Sequence, residues 1–276
     1  ALRGWCSQLP PRRSSARLFM RGSSLLSADC RPQPHLPERV FLLPCTRIDG
    51  DPLRALDLRN LEVAEGFGLL CRCIVASLMT SRRVRKHTKF MAVFSKPPDL
   101  LAEDQQVEEA FMQSLEGRRL PGVPPHLQLQ VSGDEVKMMY AQEVWVAATF
   151  RKAYQRFSDA ALGSTWANSA RTAGWRLRPC ESFRHELEDL AKADGQAALL
   201  LEDPAGQPAD GVLQDLAKTS ITRLVILLQS QRFQEHLLPE GFKVCRVRLT
   251  SAPLSTPQSI VILNYIIDCA WPRESA

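Results

Sequence analysis

The sequence predicts an α/β fold in which a largely parallel sheet carries helices on both faces. Short apolar runs, rich in valine, isoleucine and leucine, alternate along the chain with longer segments whose apolar residues recur at helical spacing. Strands that alternate with helices form parallel sheets, because each helix returns the chain to the start of the next strand. The composition agrees, since 45% of the 276 residues are hydrophobic and 24% are charged, as in an ordinary globular protein.

Each predicted strand is an apolar run that turn-forming or polar residues bound. Paired prolines at 97 and 98, for example, end the second strand, because proline cannot donate to a sheet ladder. The predicted strands are 39–44, 89–94, 127–131, 174–179, 197–203, 221–229 and 242–249.

The predicted helices are 67–80, 102–115, 141–157, 180–193, 210–218, 233–238 and 259–271. The last of these segments has two readings. Its β-branched content favours a strand, whereas its length and the stripe Ile260, Leu263, Ile267 and Trp271 favour a helix, which we adopt.

The first 36 residues differ from the rest of the chain and are predicted to be a basic leader and linker, ahead of a folded domain at 37–276. Six arginines stand there against a single acid, Asp29, which matches the formal net charge of +5 of the whole chain. An arginine- and serine-rich, nearly acid-free start is typical of an organellar transit peptide, so we predict the matrix of a mitochondrion or plastid. A disordered basic tail on a cytoplasmic protein is the alternative.

Eight cysteines occur without a repeated spacing, and we predict that they are reduced thiols. Cys71 and Cys73 do not fit a metal site, because residues two apart on a helix point about 200° away from each other. We therefore expect them to pack in the core, and we predict no metal. No apolar run approaches the roughly 20 residues that a spanning helix needs, so we predict no membrane segment.

A basic cluster follows the helix that contains these cysteines. It comprises Arg82, Arg83, Arg85, Lys86 and Lys89, with His87 among them. Cations without nearby acids repel one another, so their concentration indicates an anionic partner, whose phosphates would be bound in a salt-dependent way. A solvated turn between a helix and a strand is the alternative.

The commonest hydrolase and nucleotide-binding motifs are absent, and Gly66-x-Gly68 lacks the third small residue of a dinucleotide loop.

The order of these pieces resembles the pseudouridine N(1)-methyltransferases of the SPOUT superfamily that act on the TΨC arm of tRNA. That family has a Leu-Cys-Arg-Cys-Val-x-Ala-Ala-Leu helix followed by a Ser-His-x-Ile-Arg-Arg-Asp loop. Here the residues read LCRCIVASL at 70–78 and SRRVRKH at 81–87. Further on, RPCESFRHELEDLAKADGQAALLLEDPAG is similar to the family's next helix and strand. The resemblance runs from about Arg39 to Asp268, with an insertion near 97–125.

The resemblance implies a C-terminal trefoil knot, a homodimer packed through the first and last helices, and S-adenosylmethionine bound in the knot loops. It implies tRNA, or another structured RNA, as the substrate. Arg72, Arg85 and Lys86 occupy family positions near the RNA, and we add Arg82 and Arg83 from the basic cluster as RNA-binding candidates. The positions that match cofactor contacts are Leu200, Gln229, Leu249, Thr250, Ser251, Leu254 and Ser259. No catalytic side chain is assigned.

Departures from the family lie in the knot loops. The family's Leu-Gly-Asp-His is replaced by Leu228-Gln229-Ser230-Gln231, its Glu-Asp-Gly turn by Glu202-Asp203-Pro204, and its Ser-Leu-Gly-Pro by RLTS at 248–251. Since glycine lets a backbone approach a ligand closely, its loss can narrow a pocket. Two hypotheses follow. The chain is an S-adenosylmethionine-dependent tRNA pseudouridine N(1)-methyltransferase, or it is a catalytically inactive relative that binds RNA or a protein.

Overall fold

The computed structural model of the chain describes residues 36–45, 67–81, 83–94, 127–162, 170–192, 195–229 and 238–271. The strands are β1 (Glu38–Cys45), β2 (Thr88–Phe94), β3 (Leu127–Ser132), β4 (Ala170–Thr172), β5 (Trp175–Pro179), β6 (Gln196–Pro208), β7 (Ile221–Leu227) and β8 (Phe242–Arg248). The helices are α1 (Phe67–Leu78), α2 (Glu143–Leu162), α3 (Phe183–Lys192), α4 (Ala209–Ala217) and α5 (Thr256–Ala270).

All eight strands form one sheet in the order β4-β5-β3-β2-β1-β7-β6-β8. The five strands from β2 to β8 in that order pair in parallel, whereas β3, β5 and β4 add an antiparallel extension beyond β2. The predicted largely parallel sheet is therefore confirmed.

Helices cover both faces of the sheet, because the parallel strands are apolar on both sides. In β1, Phe41 and Leu43 pack into a core that also contains side chains of α1, α2, α4 and α5. Val40 and Leu42 point to the opposite face, where α3 contributes Phe183 and Leu187. Helices on both faces are thus confirmed as well.

The ambiguous last segment is a helix, as adopted above. Its N-terminus is stabilised where the backbone N–H of Ser255 donates to Oε1 of Gln258 at 2.9 Å. Its stripe Ile260, Leu263, Ile267 and Trp271 is buried, with exposures of 0–3%. A helical period thus outweighed β-branched composition, because tertiary burial overrides local propensity.

Several predictions fall outside the described residues. They are the leader, the insertion near 97–125 and the helices at 102–115 and 233–238. The trefoil knot, the domain boundary and the organellar location also stay predictions.

The parallel strands give the sheet two distinct edges. At the carboxyl edge, β6, β7 and β8 end and the loops after them begin. At the amino edge, β1 and β2 begin, and Ser132 at the end of antiparallel β3 pairs with Lys89 at the start of β2. Helix α5 starts after the loop that leaves β8 and reaches Arg39 at the start of β1 through Asp268, so it runs from the carboxyl edge to the amino edge.

Candidate functional site

The carboxyl edge brings together most of the cofactor-binding candidates. Gln229 follows β7, and residues 249–254 follow β8, while β6 lies between these two strands. Thr250 and Ser251 are exposed, and Leu249 and Leu254 are half-buried. The hydroxyl of Thr250 donates to the carbonyl of Ala252 at 2.6 Å, which closes the loop on itself.

Gln229 adopts a left-handed backbone conformation with a φ of 58°. In this conformation, a residue other than glycine costs roughly 1–2 kcal/mol more than glycine does, because its Cβ crowds the following carbonyl. The SPOUT family that the sequence resembles has glycine at this position. The backbone after β7 therefore has a conformation that favours glycine, although the residue there is glutamine.

Ser259 lies near the start of α5 and is only 1% exposed. Its backbone N–H donates to the carbonyl of Ser255 at 3.0 Å, but its hydroxyl oxygen has no hydrogen-bond partner among the described residues. A buried hydroxyl without a partner costs about 1–3 kcal/mol. Such a group next to the 249–255 loop is suited to bind a polar ligand atom.

Leu200 differs from the other cofactor candidates. It lies within β6, between Ile226 of β7 and Cys245 of β8, and its side chain is 1% exposed in the core. The structure thus places Leu200 inside the sheet, with its side chain buried in the core rather than exposed at the carboxyl edge.

Gly206 lies within β6, at the irregularity in its pairing with β8 between Glu202 and Gln207, and the sequence analysis did not single it out. A Cβ on Gly206 would lie 2.8 Å from the carbonyl of Arg246 and from the N of Val247. This part of β6 therefore contains a glycine two residues after Pro204, at a close approach to β8. Asp203 accepts hydrogen bonds from the N–H of Ala205 at 2.8 Å and from Arg246 at 2.9 Å, which lower its pKa.

At the amino edge, residues 79–81 and 83–87 lie between α1 and β2, and we call them the basic turn. Met79 and Val84 pair across it, the N–H of Thr80 donates to the carbonyl of Arg83 at 2.9 Å, and the N–H of Arg85 donates to Leu78 at 2.6 Å. The backbone is therefore fixed within the turn itself.

Arg85 turns inward from the basic turn. Its side chain is 10% exposed and forms an ion pair with Asp268 of α5. The same carboxylate lies 2.5 Å from Arg39, whose side chain is fully buried. Arg39 also donates to Asn264 at 3.1 Å, and the Asn264 amide donates to the last carbonyls of α1, at Ala76 and Ser77.

Asp268 is ionised in this cluster. Burial alone would raise its pKa, but the hydrogen bonds and charges of Arg39 and Arg85 together outweigh that effect and lower it. Arg85 is thus a structural partner of Asp268 in this structure, and its guanidinium is not presented to solvent as an RNA contact.

The remaining cations of the prediction have different surroundings. Lys86 is exposed but donates to the carbonyls of Gly133 at 2.9 Å and Asp134 at 3.3 Å. Arg72 is 44% exposed and lies 3.5 Å from Glu143. Arg83 is exposed. Arg82 lies outside the described residues. The sequence cluster is thus divided into one buried cation and several that face solvent.

Cys71 and Cys73 are core residues, as predicted, with exposures of 1% and 0%. Burial raises the pKa of each thiol to about 12, so both are protonated at neutral pH. Within the described ranges, no three His, Cys, Asp or Glu side chains cluster so as to hold a metal ion. None of the described helices combines the length and apolar composition that crossing a membrane requires.

Comparison with known proteins gives likenesses in structure but not in sequence. No family profile and no curated protein sequence matches the chain. Among solved structures, it is similar to Archaeoglobus fulgidus Nep1 bound to S-adenosylhomocysteine, with 10% sequence identity and a TM-score of 0.44. The match covers 85% of this chain and 98% of that chain. A likeness at this level assigns neither a family nor an activity.

Proposed function

We propose that the chain is an S-adenosylmethionine-dependent RNA methyltransferase of SPOUT type that methylates N1 of a pseudouridine in tRNA. The observation that carries the proposal is the carboxyl edge. There the adjacent parallel strands β7, β6 and β8 end, Gln229 has a left-handed φ, and the buried hydroxyl of Ser259 has no partner among the described residues. Open α/β sheets bind ligands in the crevice outside the carboxyl ends of their strands.

The residues at this edge fit such a cofactor chemically. Leu249 and Leu254 offer apolar surface for a flat base, while the hydroxyls of Thr250, Ser251 and Ser259 offer hydrogen bonds to ribose or amino-acid groups. When bound, S-adenosylmethionine supplies a methyl group on a positively charged sulfur. The fit rests on these donors and on the buried Ser259 hydroxyl.

The chain's own contribution to catalysis would be orientation and charge. N1 of pseudouridine must lose its proton before it attacks a methyl group, so nearby cations that stabilise the nitrogen anion accelerate the reaction. Arg72, Arg83 and Lys86 face solvent and are the described cations available to bind RNA phosphates. Arg85 positions the basic turn through Asp268.

A homodimer would bring these two parts together. Ser259 and Asp268 lie nine residues apart on α5, about 14 Å along its axis, so one chain holds the cofactor candidates and the basic turn at opposite edges. In a homodimer packed through α1 and α5, the basic turn of one copy can face the carboxyl edge of the other. Val261 and Tyr265 on α5, which are 56% and 69% exposed, supply apolar contact area.

Calorimetric titration of the full chain with S-adenosylhomocysteine tests the cofactor site. We expect saturable heat, and affinity about five- to tenfold weaker in Ser259→Ala, since one hydrogen bond contributes about 1 kcal/mol. Ser77→Ala is the matched control, because Ser77 is also buried but its hydroxyl donates to Ile74 at 3.0 Å on α1. Sedimentation equilibrium of the same sample should show a dimer. Folded protein that gives no heat at high micromolar ligand would contradict the proposal.

A catalytically inactive relative that binds RNA is the second candidate. The glutamine side chain at the left-handed position 229 favours it, because this group occupies space that glycine leaves open. Transfer of a labelled methyl group to a tRNA transcript that carries pseudouridine separates the two. If the chain binds S-adenosylhomocysteine in the calorimetric titration but transfers no labelled methyl group, the result supports the second candidate.

A further inference from the structure

We propose that Met138, Tyr140 and Val144 form a platform on which an unpaired base of the RNA stacks, beside the basic turn. We call these three residues the aromatic platform. The inference rests on the proposed RNA binding and names the part of the RNA that this surface recognises.

The platform side chains are exposed because buried neighbours anchor the segment that carries them. Met138, Tyr140 and Val144 are 60%, 49% and 50% exposed, which makes them three of five large hydrophobic side chains exposed in the described part of the chain. Val136 and Met139, in the same segment, are only 3% and 5% exposed in the core. These two anchors fix the segment and leave the platform side chains facing outward.

The ring of Tyr140 is held in one orientation. It meets Trp145 edge to face, with ring centroids 5.7 Å apart and an interplanar angle of 72°, and its hydroxyl lies 3.4 Å from the sulfur of Met138. Trp145 itself packs against the core. A half-exposed ring that is already oriented loses little conformational entropy when a flat ligand stacks on it.

Cations approach both ends of the segment that carries the platform, and the segment also contains the exposed acids Asp134 and Glu135. The N–H of Gly133 donates to Thr88 at 2.8 Å, and Lys86 binds the carbonyl of Gly133, so the segment starts against the basic turn. Lys137 is exposed within the segment, and Arg72 approaches Glu143, the neighbour of Val144. Aromatic faces flanked by cations are how proteins bind single-stranded nucleic acid, with stacking for bases and charge for phosphates.

The size of the platform favours a base over a protein partner. A stable protein interface takes about 20–30 residues from each side, whereas this apolar patch has three. Structured RNA exposes unpaired bases in its loops, and proteins recognise these by stacking on aromatic rings. An unpaired base among phosphates therefore matches both the apolar area and the charge.

The test compares two fluorescein-labelled RNA octamers, one of uridines and one in which the four central nucleotides lack bases. Binding of the full chain is measured by anisotropy. We expect the wild type to prefer the octamer with bases, and Tyr140→Ala to weaken its binding about 5- to 150-fold without affecting the abasic octamer. Tyr140→Phe keeps the ring and should bind as the wild type does. Arg72→Ala should weaken both octamers alike and reduce the salt dependence.

Three results would overturn the inference. Equal binding of both octamers by the wild type, with Tyr140→Ala unchanged, would reject the platform while leaving the proposed methyltransferase intact. If Tyr140→Ala changed the oligomeric state in sedimentation but not the RNA affinity, the patch would be a contact between copies of the chain. Absence of RNA binding by a wild type that still binds S-adenosylhomocysteine would reject the platform and the RNA substrate together. Circular dichroism of each variant verifies that it is folded.

Discussion

The two edges of the sheet differ in the charged side chains that surround them. At the amino edge, Arg39, Arg85, Asn264 and Asp268 form a continuous cluster of hydrogen bonds and ion pairs. At the carboxyl edge, Ser259 has a buried hydroxyl without a partner among the described residues, and Gln229 holds a left-handed φ. Each edge has a left-handed non-glycine residue, His87 or Gln229, and a buried polar atom without a partner among the described residues, Arg85 Nε or Ser259 Oγ. The edges differ in that partly buried ion pairs tie the amino edge to α5, whereas residues 249–254 at the carboxyl edge are half-buried or exposed.

The largest expected effect is at the amino edge. Asp268→Asn should lower the free energy of unfolding by about 2–3 kcal/mol, because it removes the carboxylate that pairs with the fully buried Arg39 and with Arg85. The figure lies below the usual cost for a buried pair because the Asp268 side chain is 37% exposed. Urea unfolding measures it. Asp203→Asn, which removes a more peripheral ion pair with Arg246, is the control and should change stability far less.

The same variant has a predicted pH signature. Because the folded pKa of Asp268 lies below its ordinary value of 3.8, its ionisation contributes stability that is present above that value. The contribution is lost as the pH falls through the lowered pKa. Asp268→Asn should therefore flatten the acid limb of the stability curve. An unchanged acid limb would mean that the cluster does not govern stability at this edge.

A medium effect is expected at the carboxyl edge from Gly206→Ala. Its Cβ would lie 2.8 Å from the β8 backbone at Arg246 and Val247, so the loop must shift at a cost of about 1–3 kcal/mol. Gly211→Ala is the matched control, because nothing lies within 4 Å of a Cβ there and the residue is inside α4, where alanine should gain about 0.5–1 kcal/mol. Thermal unfolding compares the pair. Equal melting temperatures would show that the close approach does not constrain this edge.

The smallest effect should come from Gln229→Gly. Relief of the left-handed φ is offset in part by the entropy of glycine, so we expect a gain of about 0.5 kcal/mol. Gln214→Gly, at an exposed position in α4, should instead lose about 1 kcal/mol. Urea unfolding of the two variants distinguishes the sites. A loss at both positions would show that residue 229 is not strained.

Local patterns were sufficient to predict most of the sheet. The apolar runs behind β1, β2 and β7 are buried strands, and the stripe of α5 was visible as a helical period. The extension of β6 to Pro208 was not predictable, because it depends on the close approach of Gly206 to β8. That contact is a property of two distant segments rather than of either one.

The candidate site was predictable only in outline. The basic cluster was read as one anionic-partner surface, but Arg85 pairs with an aspartate 183 residues away, which no local pattern reveals. The aromatic platform was missed because Met138, Tyr140 and Val144 are apolar, and only the structure shows that they face outward. The charged residues can be counted from a sequence, whereas the direction in which each side chain points cannot be determined from it.

The cluster around Asn264 has a consequence for the order of folding. Its amide holds carbonyls of α1 that lie 187 and 188 residues earlier, and its oxygen accepts from Arg39, which is 225 residues away. Contacts between such distant residues form slowly, because a long loop must close before they contribute. The first strand, the first helix and the basic turn therefore reach their final arrangement only when the last helix docks. We therefore expect that, during synthesis, β1 and α1 reach this arrangement only after the fifteen residues of α5 have been made.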